Sequence, residues 1–146
     1  MDELKQQMKV TFATVFSFYL KTANCHWNVE DVGFFQYHAM FEQIYQDVYG
    51  SIDPMAEKIR TLGTFTPASL TRLSELSCIE DITSHMPALE MIEQLCEDSQ
   101  IVIEQLNKAF VLATKNNKHG LANFLADRIE QHDKWCWFLK STLSGK

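Results

Sequence analysis

Apolar residues recur at three- and four-residue steps through most of this chain. Leu4, Met8, Phe12, Val15, Phe16 and Tyr19 form one such series and predict an amphipathic helix from about Asp2 to Cys25. Residues 24–33 interrupt the pattern, with Gly33 as a natural break, so a loop is expected there. A second helix is expected from Phe34 to about Leu62, stopped by Gly63. Pro54 lies inside it. A proline in a helix interior removes one hydrogen bond and crowds the carbonyl four residues back, here that of Gly50. A kink near residues 50–54, or two abutting helices, is therefore expected.

Residues 64–86 carry mixed signals. Thr66-Pro67 reads as a turn, and Ala68 to Leu76 as one short helix. Pro87 suits the first turn of the next helix, where its missing N–H costs nothing. Leu89, Ile92, Leu95, Cys96, Ser99, Ile103, Leu106, Phe110 and Ala113 mark the inner face of that helix. After a turn at residues 116–120, Leu121, Phe124, Leu125, Arg128, Ile129, His132, Cys136 and Leu139 share one side of a fourth. The pattern predicts an all-α chain folded as one four-helix bundle domain over residues 1–146. The long crossover between helices two and three carries the short helix.

Composition narrows the function classes. Hydrophobic residues make up 46% and charged residues 22%, as in a globular chain, and only five glycines and three prolines argue against an all-β fold. A net charge of −6 with no basic arm in MDELKQQMKV or KSTLSGK disfavours nucleic acid as a main partner. No apolar run reaches transmembrane length and the first residues do not form a signal peptide, so a cytoplasmic protein is expected. The four cysteines form no CxxC pair and read as reduced, mostly buried thiols, with Cys25 set apart by its neighbour His26. His132 falls on the apolar stripe of helix four, as a buried or interface histidine rather than a ligand. His85 and His119 fall in expected loops and should be solvated.

Helix two departs from generic bundle behaviour. His38 and Glu42 are four residues apart, as are Asp53 and Glu57, so each pair projects from one helix face. His26 stands just before the helix, in the expected loop. Asp53-Pro54 taken alone also reads as a helix start, with Asp as N-cap and Pro in the first turn. Glu42 and Asp53 are eleven residues apart, which at ~100° per residue is three turns plus roughly 20°, so both pairs share a face. Yet His38 and Asp53 lie ~22 Å apart along a straight helix, whereas such ligands sit about 2 Å from a metal. One chain cannot bring both pairs to one ion. Two copies of helix two packed antiparallel across a two-fold axis can, and the symmetry makes two equal sites. Imidazole with carboxylate suits iron, manganese or zinc. A di-iron site inside one bundle needs Glu-x-x-His on two helices, and no glutamate here is followed by histidine three residues later.

The stretch HWNVEDVGFFQYHAMFEQIYQDVYGSIDPMAEKIRTLG resembles the signature of Dps-type mini-ferritins. That pattern is His-Trp, a second His twelve residues after the first, an acid four later, Asp eleven further and Glu four beyond. His26, His38, Glu42, Asp53 and Glu57 fill it, and DKWCWFLKSTL resembles the family's fourth-helix end. The resemblance implies a ferritin-like four-helix bundle and a hollow shell of twelve subunits. It also implies a two-iron ferroxidase site at each two-fold interface, with His26, His38 and Glu42 from one chain and Asp53 and Glu57 from its partner. Such sites oxidise Fe(II) with hydrogen peroxide or O2 and store the ferric product, which protects against oxidative damage. Trp27 matches a tryptophan beside that site and could absorb a stray oxidising equivalent. The chain departs from the pattern in Glu42, commonly Asp, in Pro54 between the partner carboxylates, and in Asn123 where a pore acid is expected, with Asp127 nearest. The competing reading is a shell with a DNA-binding or structural role and little oxidation, but the lysine-rich tail on which DNA binding often relies is missing.

Overall fold

The computed structural model describes residues 1–145. The first apolar series becomes α1 (Asp2–Asn28), followed by α2 (Phe34–Thr61), the short α3 (Leu70–Leu76), α4 (Ala88–Lys115) and α5 (His119–Leu143). Helix α1 packs on α2, α3 and α4, while α4 packs on α5 and α5 touches α2. This central place explains why α1 buries far more than one stripe. Leu4, Met8, Ala13, Val15 and Phe18 are all buried, and so are Thr14 and Thr22 on other sides. The threonine hydroxyls are accommodated by donating to the carbonyls of Val10 and Phe18, one turn back. The result is the expected all-α four-helix bundle with a short helix in the long crossover. Among the described residues, no helix is long and apolar enough to cross a membrane.

Local signals account for the ends. Ser69 caps α3 by accepting from the Arg72 N–H at 3.1 Å. Gly63, at φ +83°, closes α2 with its N–H on the Arg60 carbonyl. Asn117, at φ 57°, turns the chain between α4 and α5.

The structure corrects several expectations. Helix α1 does not stop at Cys25 but runs through residues 24–28, so His26 belongs to its last turn rather than to a loop. Burial of Cys25, His26 and Val29 holds that turn against the poor helix propensity of its asparagines. Helix α2 is one element with Pro54 in its interior, which also sets aside the reading of Asp53 as a helix start. Pro54 and Gly50 are both exposed, so water can satisfy the carbonyl that Pro54 deprives of a partner. Pro87 is the N-cap of α4 rather than a first-turn residue. The buried face of α4 takes Val102 and Ala109, while Ile103 and Phe110 are only half-buried. His119 opens α5 and is exposed.

Polar side chains fasten the helices across the core. Gln7 donates to the Gln105 side-chain oxygen at 2.9 Å, joining α1 to α4. Helix α1 also holds the crossover: Thr14 accepts from the Cys78 N–H at 3.1 Å, and Lys21 donates to the Glu80 carbonyl at 2.7 Å. On the far side, Arg128 forks onto both Asp47 oxygens at 3.1 and 2.9 Å, and the Trp135 indole donates to Asp47 at 2.8 Å. Burial works to raise the Asp47 carboxyl. The hydrogen bonds from Arg128 and Trp135, with the Arg128 charge, overcome it and hold the group below its usual range. Folding thus favours the carboxylate, and this stability is present above the ordinary aspartate pKa of about 4 and lost as pH falls through the lowered folded value. Asp47→Asn should therefore flatten the acid limb of a plot of urea midpoint against pH below about pH 4; an unchanged limb would show that Asp47 carries none of the linkage. His132, wholly buried beside this network, is pushed down to about 3, by burial first and by the Arg128 charge second, and so stays neutral.

Candidate metal centre

The five residues singled out by spacing fall into two groups. The first forms where α1 hands over to α2. The chain reverses at Asp31, whose carboxylate accepts from the Gly33 N–H at 2.7 Å and whose carbonyl accepts from the Phe34 N–H at 3.0 Å. A Cβ at Gly33 would lie 2.9 Å from the Tyr37 ring, so glycine lets that ring pack over the turn. This tight reversal lays the start of α2 against the end of α1. The His26 and His38 imidazoles stack with centroids 3.7 Å apart and planes 14° from parallel.

The two histidines hold each other by their backbones. His26 Nδ1 lies 2.8 Å from the His38 carbonyl, and His38 Nδ1 lies 2.6 Å from the His26 carbonyl. A carbonyl oxygen only accepts, so both Nδ1 atoms carry the proton. Each neutral ring is thereby fixed as the tautomer with its lone pair on Nε2, which is the form a metal binds, and the carbonyls orient the rings. Glu42 Oε1 lies 3.8 Å from His26 Nε2. Phe34 stacks on His38 at 4.8 Å, and Tyr45 tilts against His26 at 5.1 Å. His26 is buried, His38 half-buried and Glu42 exposed, so the group opens at the surface of α2.

The second group, Asp53 and Glu57, stands exposed one turn apart further along α2. The neighbouring Asp53 carboxyl raises the Glu57 carboxyl above its usual range, first by favouring a shared proton and second by its charge. Two carboxylates so close resist carrying two charges unless they share a proton or a cation. Among the described residues, no three His, Cys, Asp or Glu side chains of one chain come together to hold a metal ion. The five residues thus fall into two separate groups, His26 at the end of α1 with His38 and Glu42 on α2, and Asp53 with Glu57 further along α2.

The other residues singled out sort as follows. Trp27 is 62% exposed, and no ring contact joins it to either histidine. Cys25, despite its neighbour, is buried and its thiol is pushed up to about 12, chiefly by burial, so it is inert. Cys96 and Cys136 are buried as well, and Cys78 is exposed. The sequence reasoning missed Tyr45 and Phe34, the aromatic walls of the histidine pair. Tyr45 could have been found, because it lies three residues from Glu42 on the same helical face.

Comparison with known proteins agrees with this architecture. The ferritin-like domain family matches residues 1–145. A DNA protection during starvation protein from Brevibacillus brevis is 32% identical over 126 residues, covering 86% of this chain and 84% of that protein. The crystal structure of Dps from Staphylococcus aureus superposes with a TM-score of 0.93 at 26% identity, covering 99% of this chain and 97% of that one. A Dps protein from Vibrio cholerae, described as a member of a broad superfamily of ferritin-like diiron-carboxylate proteins, superposes at 0.92 with 27% identity, covering 98% of this chain and 90% of that one. The chain belongs to the ferritin-like domain family and, within it, is a Dps-type mini-ferritin.

Proposed function

We propose that this protein is a ferroxidase that takes up ferrous iron at sites built from two chains. In this reading it stores the ferric product inside a cytoplasmic shell of twelve copies. His26, His38 and Glu42 of one chain meet Asp53 and Glu57 of a second chain, packed antiparallel along α2. The observation that carries the proposal is the reciprocal imidazole clamp. It locks both Nδ1 protons onto carbonyls and leaves both Nε2 atoms free, that of His26 lying 3.8 Å from Glu42.

Register supports the shared arrangement. The pairs 42/53 and 38/57 are both centred between residues 47 and 48, so one two-fold axis beside that point brings both pairs into reach at once. Trp137, Phe35 and Val32 expose large apolar surfaces that burial on assembly would cover. Iron is the substrate here. Each ferrous ion gives up one electron, so two ions reduce one hydrogen peroxide, and two protons complete two waters. The carboxylates and neutral imidazoles hold the ions without a thiol that the oxidant could attack.

The assay is ferric absorbance after ferrous iron meets peroxide or O2 at an assembled shell. Rapid oxidation is expected, and redox-inert Zn(II) should suppress it by occupying the same nitrogen and oxygen donors. Oxidation no faster than in buffer would refute the reading. The pH dependence follows from the carboxylate pair. Because Asp53 raises Glu57, a proton competes with the metal over a range extending above the usual carboxylate value. Zn(II) affinity should therefore climb as pH rises through that range, with release of a proton measurable by calorimetry in two buffers. In Asp53→Asn the climb should begin at lower pH, on a weaker overall affinity. A profile of unchanged position would show that the pair does not take the metal.

A further inference from the structure

The outward side of α2 carries a pattern of its own. Residues 35, 39, 42, 46, 49, 53, 56 and 60 follow one another at alternating steps of four and three, and none of them is buried in the chain. Phe41, Ile44, Val48 and Met55 mark the buried side of the same helix. Alternating four and three is the spacing of a seam along which a second helix packs. This seam is also palindromic about the point between residues 47 and 48. A second copy of the chain, running antiparallel, therefore sets 35 against 60, 39 against 56, 42 against 53 and 46 against 49, each pairing occurring twice. The seam alone does not choose that register. A slip of seven residues aligns it again and brings Arg60 to the partner's Glu42, a favourable charge pair. The centred register instead sets Glu42 against the partner's Asp53, two carboxylates that repel until a metal joins them. The ends of the seam offer a counterweight. Arg60 lies over the Phe65 ring at 4.4 Å, which covers one face of its planar guanidinium. Phe35, which is 79% exposed, comes level with the partner's Arg60 only in the centred register. Beside it Ala39 faces the partner's Ala56. Their short side chains let the helices approach closely where His38 meets the partner's Glu57.

We propose that Phe35 and Arg60 are positioning residues for the shared metal centre. The guanidinium of one chain is held between its own Phe65 and the partner's Phe35. This contact, made at both ends of the seam, fixes the register that carries Glu57 to the partner's His38. The inference rests on the shared-site reading above and names what aligns the two helices before metal arrives. A cation over an aromatic face gains most when water is excluded, and a second ring excludes it from the face that Phe65 leaves open. Leucine at either position keeps apolar bulk and loses the contact.

The test reads the register directly in the metal-free assembly. Cys78, the exposed cysteine, is replaced by serine, and a nitroxide is attached at Gln36→Cys, an exposed position on α2 beside the seam. The centred register separates the two labels of a pair by ~34 Å along the helices, and a slip of seven residues changes this by ~10 Å. Double electron–electron resonance on the otherwise unaltered chain should give the centred value. Phe35→Leu and Arg60→Leu should each shift or broaden the distance by about that step and weaken Zn(II) binding roughly 10-fold. The two losses should not add when combined. Saturating Zn(II) should return both variants to the centred distance, and Phe35→Trp, which keeps a ring for the cation, should match phenylalanine throughout. Should Phe35→Leu fail to assemble, Arg60→Lys carries the same test, because it keeps the charge and loses the planar face. Unchanged distance and unchanged Zn(II) affinity in these variants would overturn the inference and leave the shared site standing. A slipped distance with phenylalanine and arginine both in place would overturn both.

Discussion

Replacing both imidazoles, His26→Ala with His38→Ala, is expected to slow peroxide-driven oxidation of ferrous iron by roughly 100-fold or more. Loss of outer-shell partners alone costs metal sites 10–100-fold, and in the proposed site the donors themselves are removed. Each histidine also holds the other's backbone, at 2.8 and 2.6 Å, so the double variant loses two hydrogen bonds at the α1–α2 reversal. That loss should cost about 1 kcal/mol per bond and leave the bundle folded. To separate chemistry from local loosening, Glu57→Gln serves as a second variant. Glu57 is exposed and far from the reversal, so its substitution should leave the fold untouched while removing a proposed ligand of the opposite group. Both variants should form the same assembly by sedimentation and oxidise iron slowly. A double-histidine variant as fast as wild type would refute the assignment.

The largest effect on stability is expected at Lys21. Its ammonium group lies 2.7 Å from Asp98, with the two side chains only 3% and 9% exposed, and also donates to the Glu80 carbonyl. Lys21→Ala leaves a buried carboxylate without its cation, a change that costs about 3–5 kcal/mol. Burial already pushes the Asp98 carboxyl up, in spite of the hydrogen bond and charge of Lys21. A carboxyl raised by folding contributes stability at low pH that is lost as pH rises through its folded pKa. Without Lys21 that value rises further, so the deficit should be greatest near neutral pH and shrink on acidification. The apolar pair Lys21→Met with Asp98→Leu should recover most of the loss in urea midpoint. If Lys21→Ala alone matched the wild type at neutral pH, the ion pair would have no role in stability. Hydrogen exchange of the crossover near Glu80 should quicken in the same variant, because its carbonyl loses its donor.

Periodicity carried most of the fold because four long apolar stripes at helical spacing admit few other structures. It failed where tertiary contacts decide. The end of α1 is rich in asparagine and invites a break, yet burial of Cys25, His26 and Val29 keeps it helical. Pro54 looks like an interruption, yet at an exposed position it costs α2 only a hydrogen bond that water replaces. The shared faces of His38 with Glu42 and of Asp53 with Glu57 were legible as i, i+4 pairs, since the spacing itself fixes which side chains lie one turn apart on α2. The clamp between His26 and His38 was not, because it depends on the backbone reversal at Gly33. Asp47, Arg128 and Trp135 were equally hidden, lying 81 and 88 residues apart in sequence with only the α2–α5 contact to join them.

That the sites are shared between chains can be tested most directly by complementation. One defective chain carries His26→Ala and His38→Ala; the other carries Asp53→Asn and Glu57→Gln. Each alone should form shells that oxidise iron slowly. When the two are co-expressed, every mixed two-fold pair contains one site with both half-sets intact and one with neither. Random mixing makes about half of the pairs mixed, so about a quarter of all sites should regain wild-type chemistry. The account predicts recovery of ferrous oxidation to roughly that fraction of the wild-type rate. Co-assembled shells as inactive as either parent would contradict it, because a site contained in one chain cannot be restored by mixing two broken ones.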